Sequence, residues 1–380
     1  MRDTTPAAAP APAPRLPAPA PAPTRAAPEE KAKKGVLYVG IDLGTSRTSI
    51  AASNGERHTL WSYVGYPKDV VARKLLKRDA LFGREAVDKR LSLDLYRPFQ
   101  KGVIKYVDPG QAGMSPELVE KHLQAAKDLV RHALSLARPR KDELLFGVIG
   151  APAEASIENK AQLIEAARSV LDSVMITSEP FAVAYGLDLL EDTLVIDIGA
   201  GTVDLCRMHG TMPAAEDQIT LTTAGDWLDQ QLFALFKKKA PEAEFTIHLV
   251  KEVKEKHAFV ADAPQPVKVE LIVNGKPTEY DLTDEVREGC RLIVPPIVAA
   301  LHKLIASFDT DFQARLRGNV LLAGGGSRIV GLDKVLEEAM RQRLGSGRVT
   351  QVEEPAYAGC NGALKMAHDM PEEYWKQLGG

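Results

Sequence analysis

Two similar stretches of this sequence constrain its fold more than any other feature. Residues 194–204 read Leu-Val-Ile-Asp-Ile-Gly-Ala-Gly-Thr-Val-Asp, and residues 36–46 read Val-Leu-Tyr-Val-Gly-Ile-Asp-Leu-Gly-Thr-Ser. Each begins as an apolar run typical of a buried strand, and an aspartate, a glycine turn and a second strand follow. Because ligands usually bind in clefts between domains, the repeat predicts two related domains that each offer one turn to a shared ligand.

The turns have the composition of a phosphate site. Glycine lets phosphate oxygens approach the main chain closely, and the bare amides of a tight turn attract anions. A carboxylate at the strand end, Asp42 or Asp197, would repel phosphate unless a cation stood between them. The combination favours a nucleotide bound with Mg²⁺, the usual ion for oxygen ligands and phosphates. Because one such turn also occurs by chance in ordinary hairpins, the prediction depends on the second copy.

The composition is that of a soluble globular protein with free thiols. The chain has 380 residues, enough for two domains of ordinary size, and its net charge of −3 gives no basic field for nucleic acid. Its three cysteines (Cys206, Cys290 and Cys360) are widely spaced in apolar settings. This spacing favours buried free thiols in a reducing compartment over disulfides or a zinc site. No run of about 18 apolar residues predicts a membrane span.

Residues 1–34 differ in composition from the rest of the chain. Nineteen of the first 28 residues are proline or alanine, a pattern that predicts a semi-extended polyproline II tail without the apolar core of a signal peptide. We expect a solvated tail, although a docking peptide for a partner protein would have the same composition. The tail also lacks the basic amphipathic helix that would tie it to a membrane.

After the tail, predicted strands alternate with predicted helices, which indicates an α/β protein. Ser115 followed by Pro116 should begin a helix that ends near residue 137. Asn274-Gly275 predicts a two-residue hairpin, and Pro295-Pro296 should interrupt a helix. The other predicted strands are 144–150, 174–177, 219–224 and 319–323, and the other predicted helices are 156–171, 180–190, 227–239, 251–258 and 284–308. Gly359 and Gly362 predict a C-terminal helix that packs closely.

Five motifs stand in one order along the chain. They are Asp42-Leu43-Gly44-Thr45, Glu179-Pro180, Asp197-Ile198-Gly199-Ala200-Gly201-Thr202, Lys254-Glu255-Lys256 and Ala323-Gly324-Gly325-Gly326-Ser327. This order resembles the actin/Hsp70/sugar-kinase ATPase superfamily, and within it residues 36–378 look like a bacterial actin. The resemblance implies an α/β actin-like ATPase fold, with two related RNase H-like domains and a nucleotide cleft between them.

The resemblance also implies how the chain is divided. Domain I would cover residues 35–192, with a small subdomain at about 64–105, and about 354–380 would complete it. Domain II would cover residues 193–353 and carry the adenosine-binding loop. The tail at 1–34 has no counterpart in the family pattern, so its role stays open.

Site roles follow from the resemblance. Asp42 and Asp197 would bind Mg²⁺ through its waters, and Glu179 would act with Asp197 in catalysis by orienting the attacking water. Glu179 has an alternative role as a cap of its helix, and Lys254 and Glu255 have one as ordinary helix surface charges. Asp204 is either part of this site or a carboxylate that stabilises the turn. The nucleotide contacts would come from Gly44, Thr45, Ser46, Gly199, Ala200, Gly201, Thr202, Lys254, Glu255, Gly324, Gly325, Gly326 and Ser327.

The function that the resemblance implies is ATP hydrolysis coupled to polymerisation. We expect cytoplasmic cytoskeletal filaments that position or align an organelle such as magnetosomes, with hydrolysis driving filament turnover. The expected partners are further copies of the chain and an organelle-linked adaptor protein, without nucleic acid or direct membrane insertion. The alternative is a non-polymerising ATPase of the same superfamily. An Hsp70-like chaperone would need a β-rich peptide-binding domain, and a sugar kinase an aspartate base facing a sugar pocket; we expect neither.

Overall fold

The structure, a computed structural model, describes residues 35–105 and 115–378. The predicted polyproline tail over residues 1–34 lies outside these ranges. Within them, strands and helices alternate along the chain as predicted, so the assignment to the α/β class is confirmed. The bounds of each element are given in chain order, because the site is built from the ends of several of them.

Residues 35–104 form mainly short strands. The predicted first hairpin consists of Gly35–Leu43 (β1) and Arg47–Ala52 (β2). The next elements are Arg57–Trp61 (β3), Val64–Pro67 (β4), Val70–Leu76 (α1), Leu81–Phe82 (β5), Gly83–Asp88 (α2), Leu93–Tyr96 (β6), Phe99–Gln100 (β7) and Val103–Ile104 (β8). Strands β5, β4 and β6 form a separate three-stranded sheet, which lies within the range of the predicted small subdomain.

Residues 115–186 alternate between helices and strands. The elements are Pro116–Leu136 (α3), Glu143–Ala151 (β9), Ile157–Arg168 (α4), Ser173–Ser178 (β10) and Glu179–Gly186 (α5). Helix α3 begins as predicted, because the Ser115 hydroxyl accepts a hydrogen bond from the Leu118 amide at 3.3 Å. Helix α5 ends at Gly186 rather than at residue 190, since Asp188 has a left-handed backbone with φ of 57°.

The rest of the chain follows the same alternation. Its elements are Thr193–Ile198 (β11), Val203–Met208 (β12), Gln218–Leu221 (β13), Gly225–Lys239 (α6), Ala243–Glu244 (β14), Ile247–His257 (α7), Lys268–Val273 (β15), Lys276–Asp281 (β16), Thr283–Arg291 (α8), Val294–Ala306 (α9), Thr310–Gly318 (α10), Val320–Ala323 (β17), Leu332–Leu344 (α11), Val349–Gln351 (β18), Ala358–Asp369 (α12) and Glu372–Leu378 (α13). Strand β13 is shorter than predicted, and α7 begins at Ile247, before the predicted start.

Two local predictions in this part are confirmed. Asn274 and Gly275 join β15 to β16 with φ of 48° and 76°, the positive pair that a type I′ turn requires. The helix is interrupted between α8 and α9, and Pro295 and Pro296 lie in the first turn of α9. A missing amide costs little there, because the first amides of a helix have no partner within the helix.

The two large sheets repeat one topology. In the first sheet, with strand order β10-β9-β1-β2-β3, the central strand β1 pairs antiparallel with β2 and parallel with β9. In the second, with strand order β18-β17-β11-β12-β13, β11 pairs antiparallel with β12 and parallel with β17. Strands β1 and β11 therefore hold equivalent positions, and the turn that follows each of them is the predicted glycine turn.

Each sheet packs its own core. Ile41, Leu129 and Ile149 are fully buried in the core of the first sheet, and Leu232 and Leu301 in that of the second. By length and composition alone, Thr283–Ala306 passes as a membrane-spanning helix, but its apolar residues form much of the second core. The three cysteines are free and buried, as predicted.

Candidate functional site

The two glycine turns lie against each other. A Cβ atom added to Gly201, in the turn between β11 and β12, would overlap the Oγ1 atom of Thr45, in the turn between β1 and β2. It would also lie 2.7 Å from the Cα atom of Lys101. Only glycine permits this approach. The structure therefore brings together the two turns that are about 150 residues apart in the sequence, as the sequence repeat predicted.

Four carboxylates gather behind these turns. Asp42 lies at the end of β1, Asp197 near the end of β11, Glu179 at the first position of α5 and Asp204 on β12. Burial raises the pKa of Asp42 to about 6. Burial, and then repulsion from Asp42 and Asp204, raises the pKa of Asp197 well above its usual range. Such mutual repulsion requires that the carboxylates be close together.

Glu179 belongs to the same cluster. Burial raises the pKa of Glu179 well above its usual range, and Asp42, Asp204 and Asp197 raise it further, in that order. Its side chain contacts the first sheet, because a Cβ atom on Gly150 would lie 3.3 Å from its Cγ atom. The position of Glu179 at a helix start is compatible with the capping role. Its interaction with three other acids places it in the carboxylate cluster behind the two turns as well.

Asp204 has a structural role in addition to its membership of the cluster. Its Oδ1 atom accepts hydrogen bonds from the Ala153 amide at 3.1 Å and from the Thr220 hydroxyl at 2.5 Å. Burial raises its pKa, although the bonds from Thr220, Thr202 and Ala153 oppose the shift. Asp204 therefore ties the second sheet to the residues after β9, which agrees with its expected role as a stabilising carboxylate.

The carboxylate cluster fits a divalent cation that also binds phosphate. Within residues 35–105 and 115–378, no cation is among the groups that shift the pKa values of Asp42, Glu179 and Asp197, so no basic side chain there offsets their repulsion. Residues 35–105 and 115–378 contain no group of three or more side chains arranged to ligate a metal by themselves. Mg²⁺ commonly uses one or two carboxylates and completes its shell with water and phosphate oxygens, so Asp42 and Asp197 suit it.

The main chain of both turns is arranged for an anion. The carbonyl of Gly44 accepts from Ser62, that of Thr45 from Arg97, and those of Gly199 and Ala200 from the amides of residues 225 and 226. The amides of Gly44, Thr45, Ala200 and Gly201 donate no hydrogen bond within the described part of the chain. The acceptors are thus held by the protein, while the donors stay available for phosphate oxygens.

Lys254 and Glu255 lie beside the turns, but each has a partner. The Lys254 ammonium donates to the Gly225 carbonyl at 2.6 Å and pairs with Asp229 at 2.6 Å. Glu255 accepts from Arg47 at 2.9 Å. These contacts join α7 to α6 and to the start of β2, which follows the first turn, so the two residues are more than surface charges. Their predicted contacts with the adenine and ribose stay a prediction.

The glycine run after β17 lies against the end of β11, just before the second glycine turn. Gly324 has φ of 75°, and a Cβ atom there would overlap Asp197 Oδ1 and lie 2.5 Å from the Ile198 carbonyl oxygen. A Cβ atom on Gly326 would overlap the Ile198 side chain, whereas Gly325 faces open space. The buried Ser327 hydroxyl donates to the Gly324 carbonyl at 2.7 Å. Packing against β11 thus explains why Gly324 and Gly326 must lack a side chain. Of the three glycines, only Gly325 is open to a ligand.

Sequence reasoning missed the side chains that cross the crevice. Arg97 donates to the Thr45 carbonyl at 2.8 Å and pairs with Asp226 at 2.9 Å. Lys251 donates to the Ser46 hydroxyl at 2.5 Å. Each of these contacts joins residues that are more than 50 positions apart. No local pattern in the sequence signals them, because exposed arginines and lysines are common everywhere on helices and loops.

Comparison with known proteins gives the same family from sequence and from structure. The family profile described as MreB/Mbl protein matches residues 37–373. The chain is 39% identical to the actin-like protein MamK of Paramagnetospirillum magneticum over 350 residues, which cover 92% of this chain and 97% of that protein. It is 40% identical to the actin-like protein MamK of Magnetospirillum gryphiswaldense, covering 92% of this chain and 94% of that protein.

Solved structures of similar proteins include filaments. A MamK double helical filament matches with a TM-score of 0.83 at 38% identity and covers 89% of this chain and 100% of that chain. A non-polymerising MamK mutant bound to AMPPNP matches with a TM-score of 0.67 at 38% identity and covers 88% of this chain and 100% of that chain. The predicted actin-like fold is confirmed by these matches.

Proposed function

The chain belongs to the MreB/Mbl family of actin-like proteins, and on that premise we propose that it is an ATP-dependent actin that assembles into cytoskeletal filaments. The observation that carries the proposal is the convergence of two equivalent strand–aspartate–glycine turns, with Gly201 against Thr45. The similar MamK proteins include one whose structure is a double helical filament and one bound to AMPPNP. Both properties are proposed here for this chain.

We propose the division into domains that the repeated sheet topology supports. Domain I would comprise residues 35–192 and about 354–380, and domain II residues 193–353. The return of the chain to domain I is supported by α12, which packs against β1 so closely that a Cβ atom on Gly40 would overlap the Cys360 carbonyl oxygen. The crevice between the domains would then be the nucleotide site.

In this proposal the nucleotide phosphates bind the free amides of the two turns. The amides of Thr45 and Gly201 would contribute from opposite domains, so that one ligand contacts both. Asp42 and Asp197 would hold Mg²⁺, which neutralises phosphate charge when it is bound. Gly325 would lie next to the adenosine, because it is the glycine of its run that faces open space.

Hydrolysis would depend on Glu179. Catalysis of phosphoryl transfer is mainly placement and charge stabilisation, so a carboxylate near the phosphates contributes by orienting the attacking water. The first position of α5 fixes the Glu179 backbone, and the contact with Gly150 fixes its stem. The raised pKa of Glu179 suits a group that accepts a proton from that water.

We propose that the filament acts in the cytoplasm and positions or aligns an organelle such as magnetosomes. Hydrolysis would weaken the polymer and allow its turnover. The partners would be further copies of the chain and an organelle-linked adaptor, without nucleic acid or direct membrane insertion. Imaging a tagged copy in its own cell tests this assignment, since a diffuse signal would contradict it.

A pelleting assay tests the proposed function directly. Purified protein is mixed with Mg²⁺ and ATP, with ADP or with no nucleotide, then centrifuged and examined by electron microscopy. We expect filaments with ATP and far fewer without it. A protein that stays monomeric and phosphorylates a sugar would contradict polymerisation and support a sugar kinase. A monomer whose ATPase is stimulated by unfolded peptides would support a chaperone ATPase.

A further inference from the structure

The hairpin formed by β7 and β8 lies at the junction of the two phosphate turns. Its loop is the pair Lys101-Gly102, and the Gly102 amide donates to the Thr45 hydroxyl at 2.9 Å. Gly201 of the other turn approaches the Lys101 backbone so closely that a Cβ atom would lie 2.7 Å from the Lys101 Cα. One loop therefore contacts the turn of each sheet.

The backbone of this loop is unfavourable for lysine. Lys101 and Gly102 have φ of 52° and 69°, the positive pair of a type I′ hairpin. That turn favours Asn-Gly or Asp-Gly, because a side chain with a Cβ atom is strained in the left-handed region. The β15–β16 hairpin of this same chain follows the preference with Asn274-Gly275. Because lysine is strained at this position, its presence in a loop that contacts both turns points to a function.

The charge of Lys101 is free in a region where other cations are engaged. Arg47 pairs with Glu255, Arg97 with Asp226 and Lys254 with Asp229. The Lys101 ammonium, by contrast, has neither an ion pair nor a hydrogen bond within residues 35–105 and 115–378, and its side chain is exposed. Its backbone contacts both turns, whose free amides suit an anion, so an unpaired ammonium on this loop is suited to phosphate oxygens bound there.

We propose that Lys101 is a phosphate-binding residue of the nucleotide site, contributed by the hairpin that bridges the two turns. This role rests on the proposed function, since it takes the nucleotide as its ligand. Because the same loop touches Thr45 and Gly201, an ammonium bound to phosphate also holds the two turns together. In the free protein the backbone strain at Lys101 costs stability, and ligand binding would offset that cost.

Three variants test the role. Lys101→Gly removes the charge and suits the left-handed backbone, and Lys101→Arg retains the charge. Lys77→Gly is the matched control, because Lys77 is an exposed lysine with the same φ of 52° at the end of α1, in the small subdomain. For each we measure Tm without nucleotide and the Kd for Mg–AMPPNP, at protein concentrations at which pelleting detects no polymer.

Both glycine variants should melt at a higher temperature than the wild type, because each relieves a strained lysine. Lys101→Gly alone should bind Mg–AMPPNP about tenfold or more weakly, the effect of one charge-assisted hydrogen bond, and Lys101→Arg should stay close to wild type. An unchanged Kd for Lys101→Gly, with wild-type binding intact, would overturn the role of Lys101 alone. A wild-type chain that fails to bind Mg–AMPPNP would overturn the proposed function as well.

Discussion

At the scale of single residues, the candidate site is defined by buried acids that no basic side chain in the described part of the chain neutralises. Glu179, Asp42 and Asp197 repel one another, and burial strengthens that repulsion. Such an arrangement destabilises the free protein, so it persists only where a function requires it. Two substitutions separate the roles of these acids.

Glu179→Gln should uncouple assembly from hydrolysis. The amide keeps the size of the side chain but accepts no proton, so we expect phosphate release to fall about 100-fold or more while polymer still forms with ATP. Filaments of the variant should disassemble slowly. Phosphate release and pelleting are measured on the same samples. The control is Glu158→Gln, an exposed acid in the first turn of α4. Hydrolysis at the wild-type rate would remove Glu179 from its proposed role.

Asp42→Asn should stabilise the protein that lacks Mg²⁺ and weaken its stabilisation by Mg²⁺ with AMPPNP. The raised pKa of Asp42 means that its ionised form is disfavoured in the fold, so above the folded pKa of about 6 the charge costs stability. Removing it at pH 8 in EDTA should raise Tm by about 2–4 °C, equivalent to about 1 kcal/mol. Added Mg²⁺ with AMPPNP should raise Tm for the wild type but much less for the variant. A lower Tm in EDTA would contradict the account of repulsion.

At the scale of elements, α5 and α12 determine where Glu179 lies. A Cβ atom on Gly362 of α12 would overlap the Ala182 carbonyl oxygen, and one on Gly186 of α5 would lie 2.8 Å from Gly362. The two helices therefore meet backbone to backbone. The sequence predicted this close packing from the glycines and small residues of the C-terminal helix.

Gly362→Ala should separate the two helices and destabilise the fold by about 2 kcal/mol or more, since the atom it meets belongs to the backbone and cannot move aside. The free energy of unfolding from urea titration measures this effect. Gly359→Ala is the control for α12, because its nearest neighbour would lie 3.7 Å away, an ordinary contact. Equal stability of the two variants would show that α5 and α12 adapt to the added methyl group.

The stability of the fold should depend on pH through His132, which lies on α3. Its ring stacks on Phe82 with centroids 4.1 Å apart, and burial lowers its pKa. In the unfolded chain His132 takes up a proton at about pH 6.5, whereas in the fold it does so only at lower pH. The free energy of unfolding is therefore highest above pH 6.5 and decreases as the pH falls below it. Between pH 7.5 and 5.5, Tm should fall less for His132→Phe than for the wild type. An equal fall in Tm for the two proteins would contradict this account.

Elements were predictable from sequence where their causes are local. The hairpin at Asn274-Gly275, the start of α3 at Ser115 and the break before Pro295 each follow from residues in contact along the chain. The early end of α5 was not predicted, because it depends on the left-handed backbone at Asp188 and on a neighbouring helix. The reason for Gly324 was also missed, since packing against β11 is not visible in the sequence.

At the scale of the whole molecule, the sequence repeat predicted which strands are equivalent but not how the crevice is closed. Arg97, Lys251 and the Arg47–Glu255 pair join the two turns and α7 across the crevice. Such pairs depend on the final placement of two sheets, and a single sequence records no pairing between distant charges. The sequence predicted that the two turns would meet, while the contacts that join them to α7 could not be read from it.

The central claim is that both turns hold one nucleotide with its divalent ion. A cryo-EM map of the protein assembled with Mg–AMPPNP tests it most directly. We predict the phosphates between the amides of Thr45 and Gly201, with the ion next to Asp42 and Asp197. A nucleotide bound outside this crevice, or held by one turn alone, would contradict the claim.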